Sequence, residues 1–286
     1  MENDFKIDFL GIGAGKSATS WIFECLREHP QICCSSKKET AFFGKRWWEF
    51  GGGNYEKGMD WYKTFYSHCS PGTIKGEFCT RYISDRDSPY LIKKHFPGVK
   101  IIASLRNPID GAFERYYSVW RGLGNKERPK TFEKATGIEP RIIGDGFYYK
   151  HLKRYFELFP KENILILIYE DINKDPLGFI QKIYHFLGVN REFVPQNVYK
   201  KDINSREEIS MRKLREQIQK NTTGGKIIKL LRWLKIYGFI KSLTSFSLFI
   251  YLPKLDQKTR QYLYNVYRED IESLEKLINR DLSFWK

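Results

Sequence analysis

A chain of 286 residues, 41% hydrophobic and 29% charged, is long enough to bury one substantial core, and a single α/β domain fits it better than two modest ones. The N-terminus lacks a basic region followed by a long apolar run, and the most apolar stretch, FIKSLTSFSLFIYL at 239–252, is too short and polar to span a bilayer. Neither a signal peptide nor a transmembrane helix is expected from these features, while a net charge of +15 calls for anionic company such as nucleotide phosphates, acidic substrates, nucleic acid or a membrane surface.

Phe5 to Phe9 reads as a strand entering a glycine loop, GIGAGKSATSW at 11–21. A helix over Thr19 to Glu28 follows, with Ile22, Cys25 and Leu26 on one face, and His29-Pro30 ends it. Gln31 to Ser35 reads as a short strand leading into the charged turn KKET. Beyond Gly51-Gly52-Gly53 come a helix over Trp61 to Tyr66, a strand over Ile74 to Phe78 and a helix over Ser88 to His95. KIIASLR, Lys100 to Arg106, is the clearest strand, and its unbroken apolar run fits a strand covered on both faces. Asn107-Pro108 opens a helix to about Trp120. Helices over Tyr148 to Phe159 and Pro176 to Leu187 bracket a strand at Ile164 to Glu170. A long helix over Gln257 to Leu277 closes the chain, with Tyr262, Val266, Ile271 and Leu274 in its apolar period. Strands separated by helices of this length imply an α/β fold: three layers, P-loop-like, with a mostly parallel central sheet flanked by helices. The whole of 1–286 reads as one domain carrying a variable basic-aromatic segment at about 221–252.

The glycine loop fails the standard phosphate-loop patterns. With Gly15-Lys16-Ser17 in place, the first glycine of Walker A should stand at Leu10, and Gly11-x-Gly13 does not continue into the dinucleotide fingerprint. Glycines nevertheless let backbone amides approach an anion, and the helix that follows adds orphan N–H groups and a positive dipole end. Taken alone, a glycine turn with a helix cap is as good a reading. Five cysteines, with Cys33 and Cys34 adjacent, form neither a zinc spacing nor an even disulfide framework, so reduced thiols in a cytoplasmic protein are expected.

Three ordered blocks change the balance. GIGAGKSATSW, KKETAFF and KIIASLRNPIDGAFERYY resemble those of sulfotransferases that use 3′-phosphoadenylyl sulfate, nearest the carbohydrate and heparan-sulfate-like branch and its bacterial relatives. GDGFYYKHLKRYFELFPKENILILIYEDI and YREDIESLEKLINRDLSFW resemble two further blocks, so the likeness touches most of the chain from Phe9 to Trp285 and is poorest at 221–252. The resemblance implies that Gly13, Ala14, Gly15, Lys16, Ser17, Ala18, Thr19 and Ser20 hold the 5′-phosphosulfate. Lys16 would contact the bridging oxygen and Arg106 the 3′-phosphate, with product 3′-phosphoadenosine 5′-phosphate. At the serine that normally assists this arginine stands Glu114, which would repel phosphate unless turned away or paired; Ser118, Arg115 or Arg121 could compensate. Gly111 replaces a second arginine, and a Glu-Lys-Thr-Pro-x-Tyr motif survives only as Glu77 and Tyr82.

Glu39 corresponds to the general base of the resembled branch. Sulfuryl transfer needs a proton acceptor beside the attacking oxygen or nitrogen, and Phe42 and Phe43 could reduce the solvation of Glu39. The plain alternative is a charged turn with two core phenylalanines. His29, His68, His95, His151 and His185 lack visible chemical partners, no His/Cys/Asp cluster has metal spacing, and the reaction needs no metal. The leading expectation is a cytoplasmic enzyme moving a sulfuryl group by direct in-line transfer to a hydroxyl or amine of a sugar or small polar metabolite. Peripheral contact with a membrane surface stays open, and nucleic acid is not an expected partner. An ATP-dependent kinase, motivated by GAGKS, and a basic nucleic-acid-binding protein, motivated by RWLKIYGFIK at 232–241, are the competing readings.

Overall fold

The computed structural model describes residues 5–44, 53–122, 131–200 and 255–285. All of these but Lys200 belong to one compact unit, Met1–Tyr199 with Leu255–Lys286. The expected variable segment at 221–252, RWLKIYGFIK within it, lies outside the described residues.

Five strands, β1 (Phe9–Gly13), β2 (Ile32–Cys34), β3 (Ile74–Phe78), β4 (Lys100–Leu105) and β5 (Ile164–Ile168), form one sheet in the order β2-β3-β1-β4-β5. Every pair is parallel. Both inner strands beside the loop are buried along almost their whole length, as apolar runs without alternation demand. The expected strand at Phe5 to Phe9 is a correction: β1 runs through the glycines instead. Gly11 pairs with Phe78, and a methyl there would lie 2.1 Å from the Phe78 ring, so only glycine lets β1 pass this close to β3.

Helices flank the sheet: α1 (Thr19–Arg27), α2 (Gly58–Lys63), α3 (Ser88–His95), α4 (Pro108–Gly122), α5 (Phe132–Ile138), α6 (Arg141–Gly144), α7 (Tyr148–Leu158), α8 (Pro176–Leu187) and α9 (Gln257–Ile278). Local chemistry sets several ends. The Asp175 carboxylate accepts from Gly178 N–H at 2.8 Å and caps α8, Pro176 follows in its first turn, and Gly188 closes it at φ 79°. Asp256 caps α9 by accepting from Thr259 N–H, and Asn279 ends it in the left-handed region. The inward face of α9 is Leu263, Tyr267, Ile271 and Leu274, whereas Tyr262 is 55% exposed, one position out of the expected register. The α5–α6 pair has no counterpart in the sequence reading, because neither helix is long enough to display a period.

The fold ends where it began. Trp285 is fully buried against Tyr148, and its carbonyl accepts from Asn107 Nδ2 at 3.1 Å, tying the C-terminus to the residue after Arg106. Parallel strands deliver the segments after β1, β2, β3, β4 and β5 to one edge of the sheet, and all the expected site residues lie on these segments or the helices they open.

Candidate active site

The loop between β1 and α1 is a set of donors with few internal acceptors. Ala14 N–H donates to Ser104 O at 2.7 Å and anchors the loop on β4. Lys16 at φ 71° and Ala18 at φ 58° adopt left-handed backbone, which non-glycine residues rarely hold outside constrained functional turns. Ala18 is the N-cap of α1 and offers no side-chain cap, and the first turn carries no acidic residue. The opening amides of Thr19, Ser20 and Trp21 have no acceptor within the helix. Ser17 is fully buried with its Oγ unpartnered, and space is open above Gly15, where a methyl would meet nothing within 4 Å. Unclaimed N–H groups, an orphaned hydroxyl and room beside them fit a phosphate-like anion.

Arg106, at the end of β4, meets this loop: its Nη1 donates to Lys16 O at 3.4 Å. Its guanidinium lies over the Tyr169 ring at 4.7 Å and pairs with Glu114 Oε1 at 3.7 Å. Glu114 is thus paired with the arginine itself. Ser118 donates its Oγ to the Glu114 carbonyl one helical turn back. Arg115 Nε donates to Ile142 O at 2.9 Å, and a methyl at Gly111 would sit 3.3 Å from Arg115 Nη1 and 3.4 Å from the Tyr148 hydroxyl. The space beside Gly111, where the resembled family carries its second arginine, borders a guanidinium supplied from one turn further along. The Arg121 side chain lies outside the described residues.

Glu39 follows β2 with φ 63°, and its N–H donates to Phe78 O at 2.9 Å. Its Oε2 accepts from Thr80 N–H at 2.8 Å and Thr80 Oγ1 at 3.2 Å, and its Oε1 pairs with Lys38. The carboxylate is therefore aimed by the segment after β3, strand neighbour to both β2 and β1. Phe42 and Phe43 are both buried. Phe42 stacks on Tyr62 at 4.5 Å, and Phe43 meets Tyr62 and Tyr82 edge-on. Their rings thus anchor the Glu39 turn in the core, and the carboxylate itself is held by a cation and Thr80.

Beneath this turn lies a cluster built on Glu77 and Tyr82, which the sequence marked only as motif remnants without a role. Glu77 is fully buried and accepts from Thr40 Oγ1 at 2.5 Å, Tyr82 OH at 2.9 Å and Tyr62 OH at 3.0 Å. Thr40 and Tyr82 in turn accept from the Phe42 and Phe43 N–H groups, both at 3.3 Å. Burial pushes the Glu77 carboxyl up to about 7, against the three hydroxyl donors that favour its charged form. The signal was present: a glutamate in a strand of the central sheet, five residues before a tyrosine, cannot be buried without partners.

The strand-end carboxylates that a kinase would offer to magnesium are engaged. Glu170 Oε1 accepts from Asn107 N–H at 2.9 Å, and Asp171 takes a bidentate bond from Arg280. His29 donates its Nε2–H to Asn190 O, His151 donates its Nε2–H to Gly144 O and His95 meets Tyr55 OH, and burial lowers the proton affinity of all three. Cys33 and Cys69 form a disulfide, correcting the expectation of reduced thiols throughout; strand β2 and the turn before β3 lie side by side in space although 36 residues apart. With His68 they are the one His/Cys/Asp/Glu group among the described residues compact enough for a metal ion, and the bridge already consumes two of its ligand atoms. No described helix is long and apolar enough to cross a membrane.

The family model described as "Sulfotransferase domain" matches residues 6–270. Human heparan sulfate glucosamine 3-O-sulfotransferase 6 is 25% identical over 193 residues, 66% of this chain and 54% of that protein. Human bifunctional heparan sulfate N-deacetylase/N-sulfotransferase 3 is 25% identical over 198 residues, 63% of this chain and 22% of its own length. The chain thus spans about half, or less, of these curated relatives. The crystal structure of a sulfotransferase from Alicyclobacillus acidocaldarius superposes with a TM-score of 0.71 at 22% identity, covering 98% of this chain and 99% of that one.

Proposed function

The chain belongs to the sulfotransferase family, and on that premise we propose that it acts as a single sulfotransferase domain, moving the sulfuryl group of 3′-phosphoadenylyl sulfate to a hydroxyl or amine of a sugar or small polar metabolite. The donor brings an activated sulfuryl group; the acceptor heteroatom bonds to sulfur as the sulfur–oxygen bond to the 5′-phosphate breaks. The loop from Gly13 to Ser20 binds the 5′-phosphate through its amides from Gly15 onward and the Ser17 hydroxyl, the Ala14 amide being held by Ser104 O. Lys16 stabilises the charge that grows on the bridging oxygen. Arg106, stacked on Tyr169, receives the 3′-phosphate, with Glu114 as the internal carboxylate which that phosphate must displace or share. Glu39, aimed by Thr80, takes the acceptor proton, and Lys38 steadies the carboxylate. The carbohydrate class of acceptor draws support from relatives named for heparan sulfate, both O- and N-directed.

The observation that carries this reading is the uncapped start of α1 with the orphaned Ser17 Oγ beside it. Calorimetry with 3′-phosphoadenosine 5′-phosphate tests it. Wild type should bind, and Lys16→Ala should lose turnover by ~10²-fold or more, exceeding its loss of affinity, because the contact strengthens toward the transition state. Absence of nucleotide binding by folded protein would overturn the assignment.

A further inference from the structure

Of the five cysteines, Cys25, Cys34 and Cys79 are buried thiols whose proton affinity is pushed up by burial, which leaves them poor nucleophiles. The other two are differently placed. Cys33 in β2 is bonded to Cys69, which is half-buried, and the exposed His68 lays Nε2 3.5 Å from Cys33 Sγ. The ring closed by this bond contains Glu39, Thr40, Phe42 and Tyr62. Two further backbone bonds tie the same loop down, Ser35 N–H to Gly76 O and Ser36 N–H to Phe65 O, both at 2.9 Å. The second of these joins the loop to the turn that leads to Cys69.

We propose that Cys33, His68 and Cys69 form a thiol–disulfide exchange site, and that a dithiol reductant acting there regulates the loop that carries Glu39. A reductant thiolate attacks the more accessible sulfur, Cys69 Sγ, and the bond to Cys33 Sγ breaks. The electron pair leaves on Cys33, whose thiolate accepts a hydrogen bond from the His68 Nε2–H and then takes a proton from solvent. The reductant's second thiol then attacks the mixed disulfide and releases Cys69, so two electrons pass from dithiol to protein and the reductant departs as its own disulfide. Opening the bridge removes the covalent tether between β2 and the turn before β3, leaving the Glu39 loop to its hydrogen bonds. The effect on turnover rests on Glu39 being the base; the exchange chemistry does not.

Alkylation with N-ethylmaleimide and mass measurement on the full chain reads the bridge directly. Protein treated with oxidised glutathione should label at Cys25, Cys34 and Cys79 once denatured, and at all five cysteines after dithiothreitol. His68→Gln should slow opening by dithiothreitol by about tenfold, because the leaving thiolate loses its partner. Reversible reduction of wild type should lower turnover by about fivefold with nucleotide affinity unchanged, and Cys69→Ser should match the reduced protein. Five free thiols after oxidised glutathione, equal opening rates with and without His68, or unchanged turnover on opening would each overturn the proposal. If Glu39→Gln keeps full turnover, the base assignment falls on its own, since the labelling result does not depend on it.

Discussion

Glu39 and Glu114 are two carboxylates whose surroundings give them opposite work. Glu39 is about one-third exposed, oriented by Thr80 and paired with Lys38, a geometry that leaves it reachable by an acceptor. Glu39→Gln keeps the shape and removes the base, so turnover should fall by ~10² to 10⁴-fold with nucleotide affinity nearly unchanged, measured with an acceptor of high pKa. A loss of stability without a chemical defect would instead mark the Lys38–Glu39 pair as structural. Glu114 already holds Arg106, and under the proposed function it competes there with the 3′-phosphate. Glu114→Ser, which restores the residue expected by resemblance, should tighten binding of the bisphosphate nucleotide by about tenfold, a scale set by one charge-assisted pair. Adenylyl sulfate, which lacks the 3′-phosphate, should bind both proteins alike; an equal gain for both nucleotides would place Glu114's influence elsewhere.

At the scale of the strand–loop–helix element, the two glycines at 11 and 15 serve different ends. Gly11 is demanded by the Phe78 ring on β3, whereas nothing among the described residues crowds Gly15. Gly11→Ala should therefore cost about 2 kcal/mol or more through overpacking, read as a lower denaturation midpoint. Gly15→Ala should leave stability within about 1 kcal/mol and weaken nucleotide binding, because the phosphate needs the space above it. Loss of stability at Gly15 with unchanged binding would show that the loop is built for the fold. The elements themselves were largely legible: Ile74–Phe78, Ser88–His95 and Pro176–Leu187 stand where pattern and capping put them. β1 was displaced because its strand character comes from two neighbours that the segment itself does not encode. The inward face of α9 slipped by one residue because Tyr262 and Leu263 are both apolar, and only packing chooses between them.

Across the whole molecule, the buried Glu77 makes stability depend on pH in a defined direction. Its carboxyl ordinarily titrates at 4.5 and in the fold at about 7, so between those values the native state holds a proton that the unfolded chain has released. Stability contributed by the neutral form is therefore lost as pH rises through that window, by on the order of 3 kcal/mol in full. His29, His95 and His151, whose proton affinities are lowered, act oppositely by losing stability toward acid, so the comparison must be wild type against Glu77→Gln. Urea unfolding from pH 5 to 8 should show wild type falling relative to the variant; parallel curves would mean that Glu77 titrates normally.

The sequence alone determined the α/β alternation, the position of the glycine loop, Arg106 at the end of the clearest strand, and Glu39 between them. Those features are local: a period, a cap, a glycine cluster or a short ordered block lies within a few residues of itself. Partnership was decided by the tertiary structure. Thr80 reaches Glu39, Glu77 reaches Thr40, and Cys33 reaches Cys69 because the sheet places β2 beside β3, and β3 beside β1, out of chain order. Glu114 meets Arg106 through the angle at which α4 leaves β4. A hydrogen bond, an ion pair or a disulfide needs atoms within a few ångströms, and that proximity is set by how distant segments share one sheet edge and one buried core.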